Sequence, residues 1–491
     1  MSLTPREVDQ VVVQECLGAN VLGDGTLFAH MFHGQATYNK SAQEWLVWSG
    51  HSWERDILGR VPAAVESVAI RYGLVVDELD QQISLAGAEG RADDQKFLIK
   101  RKKDVLGRIS RLRTVAGRCN ALEFAHSLPT VGSLAIRGDE LDQDPWLLAF
   151  KNGVMDLRTG MFRPGLPTDL ISKCCSVEWH GYDLPCPTWD QFMWESIEDE
   201  AVIAFLMRFA GYCLTGIVQE QKFVLMTGEG RNGKGVFVET LMEIMGDLAG
   251  PIQSEMLLDQ GRSKSSSGPS PDIMSLFGRR LAIASESDEG RRFSPSRVKW
   301  FTGADSLVGR YPHDKYERVF RPSHKFIGLT NNPPYAPADD FAFWERLLEV
   351  NWPFQFVEHP RGEKQKQRIA NLRVTLAAEL PAIAARLVRG CIEWQRSGLC
   401  PPPAVLKASE EYRRENDMVQ DYIEARCWVP ERAADVRTSA TDVYLDFVVW
   451  FKEFHRGKEP SINWFGRRLS KKFKKIKDGV YFYEGIGLLA E

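Results

Sequence analysis

The nine cysteines form no CxxC pair, and no histidine pair follows them at zinc-finger spacing, so nothing in the sequence frames a zinc site. Cys16, Cys119, Cys174, Cys175, Cys186, Cys213, Cys391, Cys400 and Cys427 read instead as thiols in a reducing compartment. No apolar run approaches the length of about 18 residues that spans a bilayer, and Met1-Ser2-Leu3-Thr4-Pro5 begins no signal peptide. A cytoplasmic protein without a membrane partner is expected. No excess of one charge is present either. The net charge is −4, so any nucleic-acid contact must come from a local basic surface. No internal repeat is found.

What is present is ordinary for globular domains: 44% hydrophobic and 26% charged residues over 491 positions. That length exceeds one core and predicts roughly two to four domains. Pro-rich segments divide it. Leu184-Pro185-Cys186-Pro187 and Pro401-Pro402-Pro403 predict domains over 1–183, 184–400 and 401–491. The first mixes helices with strand–turn units, a small hairpin at Trp45–Trp53 and a second unit at Asn152–Gly160, with a charged helix near Lys96–Arg118 between them. The second alternates helices with apolar strands at Phe223–Thr227, Arg280–Ser285 and Lys325–Thr330. That pattern predicts a parallel sheet covered by helices, interrupted by a polar loop from Gly261 to Pro269. The fold class is therefore multidomain α/β.

Between the strand Phe223–Thr227 and a helical stretch from Val236 lies Gly228-Glu229-Gly230-Arg231-Asn232-Gly233-Lys234, followed by Gly235. Glycines at this spacing let backbone N–H groups curl around phosphate oxygens, and the helix points its positive end at them. Lys234 supplies a cation to the β- and γ-phosphates of ATP. The Ser or Thr that would ligate Mg²⁺ after the lysine is replaced by Gly235, a place that a water can take.

The strand Arg280–Ser285 ends in Glu286-Ser287-Asp288-Glu289. Nucleotide hydrolysis needs one carboxylate for Mg²⁺ and another to orient and deprotonate the attacking water. Glu286 is assigned to the metal, and Asp288 or Glu289 to the base; spacing does not choose between those two. Without the upstream loop the same residues would read as a solvated acidic turn. Asn331, beyond the third strand, can read the γ-phosphate, or form a plain Asn-Pro turn with the residues after it. Arg346 by itself would be an ordinary salt-bridged arginine.

In this order the segments resemble superfamily 3 helicases, the AAA+-like ring motors of small viruses, phages and plasmids. The likeness rests on Asn232-Gly233-Lys234-Gly235, Glu286–Gly290, Lys299-Trp300-Phe301-Thr302-Gly303-Ala304-Asp305, Thr330-Asn331-Asn332-Pro333-Pro334 and Trp344-Glu345-Arg346-Leu347. The family's usual Gly-Gly-Asp is Gly303-Ala304-Asp305 here. Trp45, Trp48, Gly50, Trp53 and Asn152-Gly153-Val154 resemble the region that precedes the helicase in phage/plasmid and poxvirus-type primase-helicases.

That resemblance implies an AAA+-like P-loop core between an α+β N-terminal adaptor domain and a C-terminal winged helix. It implies a replicative DNA helicase of a phage, plasmid or mobile element in the bacterial cytoplasm, moving 3′ to 5′ on single-stranded DNA as a homo-hexameric ring. Arg346 becomes an arginine finger to the neighbouring nucleotide. About 180 residues precede the motor and match the adaptor, so a separate primase or polymerase is the expected partner. The alternative is a nucleotide-switched initiator or loader that unwinds nothing.

Two segments are candidates for forked DNA. Val308–Phe320 has β-favouring arms around Pro312-His313-Asp314-Lys315. The family's hairpin at this place grips a strand, which makes His313, Lys315 and Arg310 phosphate contacts; a solvated turn is the other reading. Trp464–Lys477 combines helical apolar spacing with seven basic residues and no acid, Arg467, Arg468, Lys471, Lys472, Lys474 and Lys475 among them. Asp478–Tyr483 follows as a hairpin wing.

Overall fold

A computed structural model describes residues 3–128, 132–260, 270–285, 291–312, 316–430, 436–454 and 459–489. The strand Phe223–Thr227 (β1) shows how the centre is built. Val224 and Met226 face one apolar core while Phe223 and Leu225 face another. A strand alternates its side chains, so an unbroken apolar run is stable only where both faces are covered. The helix Lys234–Met245 (α1) returns the chain for Ala249–Ile252 (β2), and Leu281–Ser285 (β3), Lys325–Leu329 (β4) and Leu347–Asn351 (β5) complete the sheet. All five strands are parallel, in the order β5-β1-β4-β3-β2. The three strands expected from sequence are present. β2 and β5 were not; Leu347 and Leu348, expected in an amphipathic stretch, enter β5 instead.

One face of the sheet is covered by the helices Pro187–Ile197, Glu200–Cys213 and Leu372–Ser397. The last two cross where both backbones are bare. A Cβ on Gly211 would lie 2.2 Å from the Cys391 nitrogen, and one on Gly390 would lie 2.2 Å from the Met207 carbonyl. The antiparallel strands Leu147–Phe150, Gly153–Asp156 and Met161–Arg163 form the second strand–turn unit, and Leu148, Phe150 and Met155 join this same core. Arg280 fastens the unit by donating to the carbonyls of Leu147 and Leu214.

The N-terminal core lies apart, from Val13 to Leu134. A four-stranded sheet contains the expected hairpin, Glu44–Trp48 against Trp53–Arg55, with Trp48 opposite Trp53. The long helices Glu66–Ala88 and Ala92–Leu112 pack against each other and join the same core. The charged helix starts earlier than its composition suggested and stops at Thr114, whose hydroxyl accepts from Gly117 N–H at 3.1 Å to start a new helix, Val115–Ala125. Arg108, in this helix, donates to both carboxylate oxygens of buried Asp24 at 2.9 and 3.0 Å.

Beyond Pro401-Pro402-Pro403, the helix Pro403–Glu415 packs back on β5, where Ser409 Oγ accepts from Glu349 N–H at 2.8 Å. A separate C-terminal core begins at Met418 and gathers Tyr422, Phe447, Trp450, Phe465 and Tyr483. Its helix Ile462–Lys472 is followed by a hairpin, Lys475–Asp478 against Val480–Glu484, turning at Gly479. The basic helix is therefore shorter than expected. Lys475 and Lys477 pair with Tyr483 and Tyr481 in a strand, because the alternation after Phe473 suits a sheet edge. None of the described helices is long and apolar enough to cross a membrane.

Candidate functional site

The turn between β1 and α1 is held at both ends by glycines that no side chain could replace. Gly228 has φ +141°, and a Cβ there would meet the Trp352 carbonyl at 2.5 Å. Gly233 has φ +93°, with Phe192 and Ser196 each 2.9 Å from where its Cβ would be. Both backbones sit in the left-handed region that glycine enters without steric cost. Glu229, Gly230, Arg231 and Gly235 are exposed, and Val236 is half-buried behind them. Nothing lies within 4 Å of a Cβ on Gly235, so the place of the missing hydroxyl is open.

Two buried polar side chains line the turn. Asn232 is 3% exposed; its Oδ1 accepts from Lys234 N–H at 3.4 Å, and its Nδ2 has no hydrogen-bond partner among the described residues. Lys234 is 6% exposed. Its ammonium donates to the carbonyls of Gly228 at 2.6 Å and Thr330 at 2.8 Å, and to Asn331 Oδ1 at 3.0 Å. These contacts exist because β4 lies directly beside β1, with Thr330 N–H donating to the Met226 carbonyl at 3.1 Å. Two residues singled out separately in the sequence, Lys234 and Asn331, thus meet at the carboxyl end of the sheet. This is where open parallel sheets gather ligand-binding groups.

Ser285 pairs with Leu329, so β3 also ends at this edge. Glu286, Asp288 and Glu289 follow it and lie outside the described residues, as do His313 and Lys315 of the basic hairpin. The arms of that hairpin, Leu307–Gly309 and Arg318–Phe320, are antiparallel as expected. Arg310 is half-buried beside the first arm, its N–H on Ser270 Oγ at 3.1 Å. The described residues contain no cluster of carboxylate, histidine or cysteine groups that could hold a metal ion by itself.

Arg346 stands at the opposite end of the sheet. β5 runs parallel to β1 with Leu347 beside Phe223 and Asn351 beside Thr227, so Arg346 precedes the entry end while the Gly-Lys turn follows the exit end. That separation is roughly 15 Å along the strand. The guanidinium donates to the Ala342 carbonyl at 2.7 Å and Gln221 Oε1 at 2.8 Å, while its Nε is buried without a partner among the described residues. Arg346 does not reach the Gly-Lys turn of its own chain.

Glu349 was not anticipated. It projects from β5 and accepts from Thr227 Oγ1, the residue just before the phosphate turn, at 2.8 Å. Burial pushes its carboxyl up to about 7, and Glu415 and Glu411 on the helix Pro403–Glu415 add to the rise. The available signal was a lone acid in the apolar run Leu347-Leu348-Glu349-Val350.

The basic residues of the C-terminal core divide. Arg467 is exposed, its Nε on the Asn463 carbonyl, and Lys474 approaches Glu484 at 3.2 Å. Lys475 lies 4.5 Å over the Tyr481 ring. Arg468 turns toward Asp339 of the central unit, which the exposed Lys471 also approaches, and the exposed Lys472 pairs with Asp417 at the start of its own core.

Residues 25–197 match the family described as D5 N terminal like. A protein described as a putative helicase in Acanthamoeba polyphaga mimivirus is 28% identical over 334 residues, covering 65% of this chain and 34% of its own length. One with the same description in Frog virus 3 (isolate Goorha) is 23% identical over 391 residues, covering 64% and 39%. The chain thus spans well under half the length of these relatives. Among solved structures, the apo C-terminal region of NrS-1 is similar over 74% of this chain and 86% of its own, at 11% identity and a TM-score of 0.41.

Proposed function

From a chain related to the D5-like primase-helicases, we propose an ATP-driven replicative DNA helicase of a virus, phage, plasmid or other mobile element. One observation carries this reading: the Lys234 ammonium touches Gly228 in the phosphate turn and Asn331 on the neighbouring strand at once. A buried ammonium bonded to two carbonyls and an amide oxygen is ready to exchange some of them for phosphate oxygens. The unpartnered Nδ2 of Asn232 is a second waiting donor.

In this reading the backbone from Gly228 to Val236 cradles the phosphates of ATP, and α1 directs its positive end at them. Lys234 neutralises the β- and γ-phosphates. Asn331, released from the lysine, holds the attacking water or a γ-oxygen. Glu286, with waters at the open place beside Gly235, would hold Mg²⁺, which when bound offsets charge on the phosphates. Asp288 or Glu289 takes the proton from water. Arg346, too far from its own turn, serves the site of an adjacent subunit, which makes a homo-hexameric ring the working form. Movement 3′ to 5′ along single-stranded DNA, gripped by Arg310, His313 and Lys315, completes the proposal.

Strand displacement by the purified chain on a forked duplex, with ATP and Mg²⁺, tests it. Displacement that depends on Lys234 is expected. Nucleotide-dependent DNA binding without displacement would replace the helicase with an initiator or loader.

A further inference from the structure

The helix Ile462–Lys472 has the charge of a nucleic-acid-binding surface, yet three of its cations already face carboxylates of the molecule itself. Arg468 donates to Asp339 Oδ1 at 2.5 Å, and Lys471 Nζ lies 3.5 Å from Asp339 Oδ2. Lys472 donates to Asp417 Oδ2 at 2.8 Å and to Gln420 Oε1 at 2.7 Å. The Arg468 guanidinium is also stacked 3.8 Å over the Trp464 ring, and its side chain is only 19% exposed. Two carboxylates, one in the segment after β4 and one between two helices, thus take three of the helix's cations.

At this contact Tyr335 packs against the C-terminal core. Between the two units lies a cleft of about 250 Å³ lined by Tyr335, Asp339, Arg413, Asp417, Trp464 and Lys471. Half-exposed ion pairs around an unfilled cleft are individually weak and weaken further with salt. They suit a contact that opens better than one that holds a fold together.

We propose that the basic face of the helix Ile462–Lys472 is an autoinhibited nucleic-acid-binding surface, closed by Asp339 and Asp417 and opened when DNA phosphates displace those carboxylates. This rests on the DNA-binding part of the function proposed above. A cation held by a carboxylate cannot serve a phosphate at the same time, so the closed form lowers apparent affinity by the fraction of molecules it occupies. The position of Asp339 adds a consequence. It lies on the segment that begins at Asn331, and the helix Pro403–Glu415 grips this segment through Tyr412 Oη on the Pro334 carbonyl and Arg413 Nε on the Ala338 carbonyl at 2.9 Å. Asn416, just beyond, accepts from Ala336 N–H at 2.8 Å. The strand end that touches Lys234 and the carboxylate that closes the helix are therefore parts of one braced strap.

Affinity for a fluorescently labelled forked DNA, measured without nucleotide across a range of salt, tests the closure. The double variant Asp339→Asn with Asp417→Asn is expected to bind about fivefold tighter or more. Its salt slope should steepen by about 0.9 for each cation released to a phosphate. Both effects should vanish when Arg468, Lys471 and Lys472 are also changed to Ala. Neutralising Asp93 and Glu358, two exposed carboxylates outside the cleft, controls for net charge and should leave affinity nearly unchanged. Acetylation footprinting reads the clamp independently of DNA: Lys471 and Lys472 should react faster in the double Asn variant. Unchanged lysine reactivity would overturn the clamp. Faster lysines with unchanged DNA affinity would overturn the masking and remove this helix from DNA binding, while leaving Lys234-dependent strand displacement as a separate result.

Discussion

The half-buried carboxyl of Glu349 lends itself to a quantitative test. Its ordinary value of 4.5 is raised to about 7 by burial beneath the helix Pro403–Glu415 and by Glu415 and Glu411 on that helix. The Thr227 hydroxyl opposes the rise without cancelling it. Because the folded-state value lies above the unfolded one, the native protein holds a proton that the unfolded chain releases between pH 4.5 and 7. Stability from this group is complete below that window and is lost as pH rises through it. At 1.36 kcal/mol per unit, full ionisation costs roughly 3 kcal/mol. Glu349→Gln keeps an acceptor for Thr227 and cannot ionise. Urea unfolding of the central unit should therefore show nearly equal midpoints for both proteins at pH 5. By pH 8 the variant should be more stable by up to about 3 kcal/mol. A gap that does not change with pH, or a variant less stable at pH 8, would refute the desolvated-carboxyl account.

The other outcomes can be checked in standard assays. Lys234→Ala should cut ATP turnover by about 100-fold or more, since it removes the cation from the phosphate turn; phosphate-release kinetics measure it. Arg346→Ala should lose on the order of 1,000-fold in turnover while retaining nucleotide binding, and mixing it with Lys234→Ala protein should restore some hydrolysis if sites are shared between subunits. Normal turnover by Arg346→Ala would remove it as a finger and leave it bracing Ala342 and Gln221. Gly211→Ala should destabilise the central unit by about 1–3 kcal/mol in thermal melts, because its methyl would collide with the backbone at Cys391. Arg108→Met should cost the N-terminal unit about 3–5 kcal/mol, leaving Asp24 buried without its partner; a near-neutral result in denaturant titration would show that Asp24 simply takes up a proton.

Local chemistry alone determined a good deal. Apolar runs flanked by turn residues located β1, β3 and β4, because a strand buried on both faces must be apolar throughout. The Gly228–Lys234 spacing located the tight turn between β1 and α1, since Gly228 and Gly233 take positive φ where a Cβ would collide. Tertiary structure decided what distance along the chain hides. β4 inserts between β1 and β3 and so carries Asn331 to Lys234, a neighbourhood set by strand order rather than by any motif. β5 adds beside β1, which removes Arg346 from its own phosphate turn and buries Glu349 under a helix drawn from beyond the Pro-rich linker. The basic run near the C-terminus was legible as charge, but charge alone does not say what neutralises it. Asp339 meets that helix only because two separately packed cores come together, a matter of shape and burial that composition does not encode.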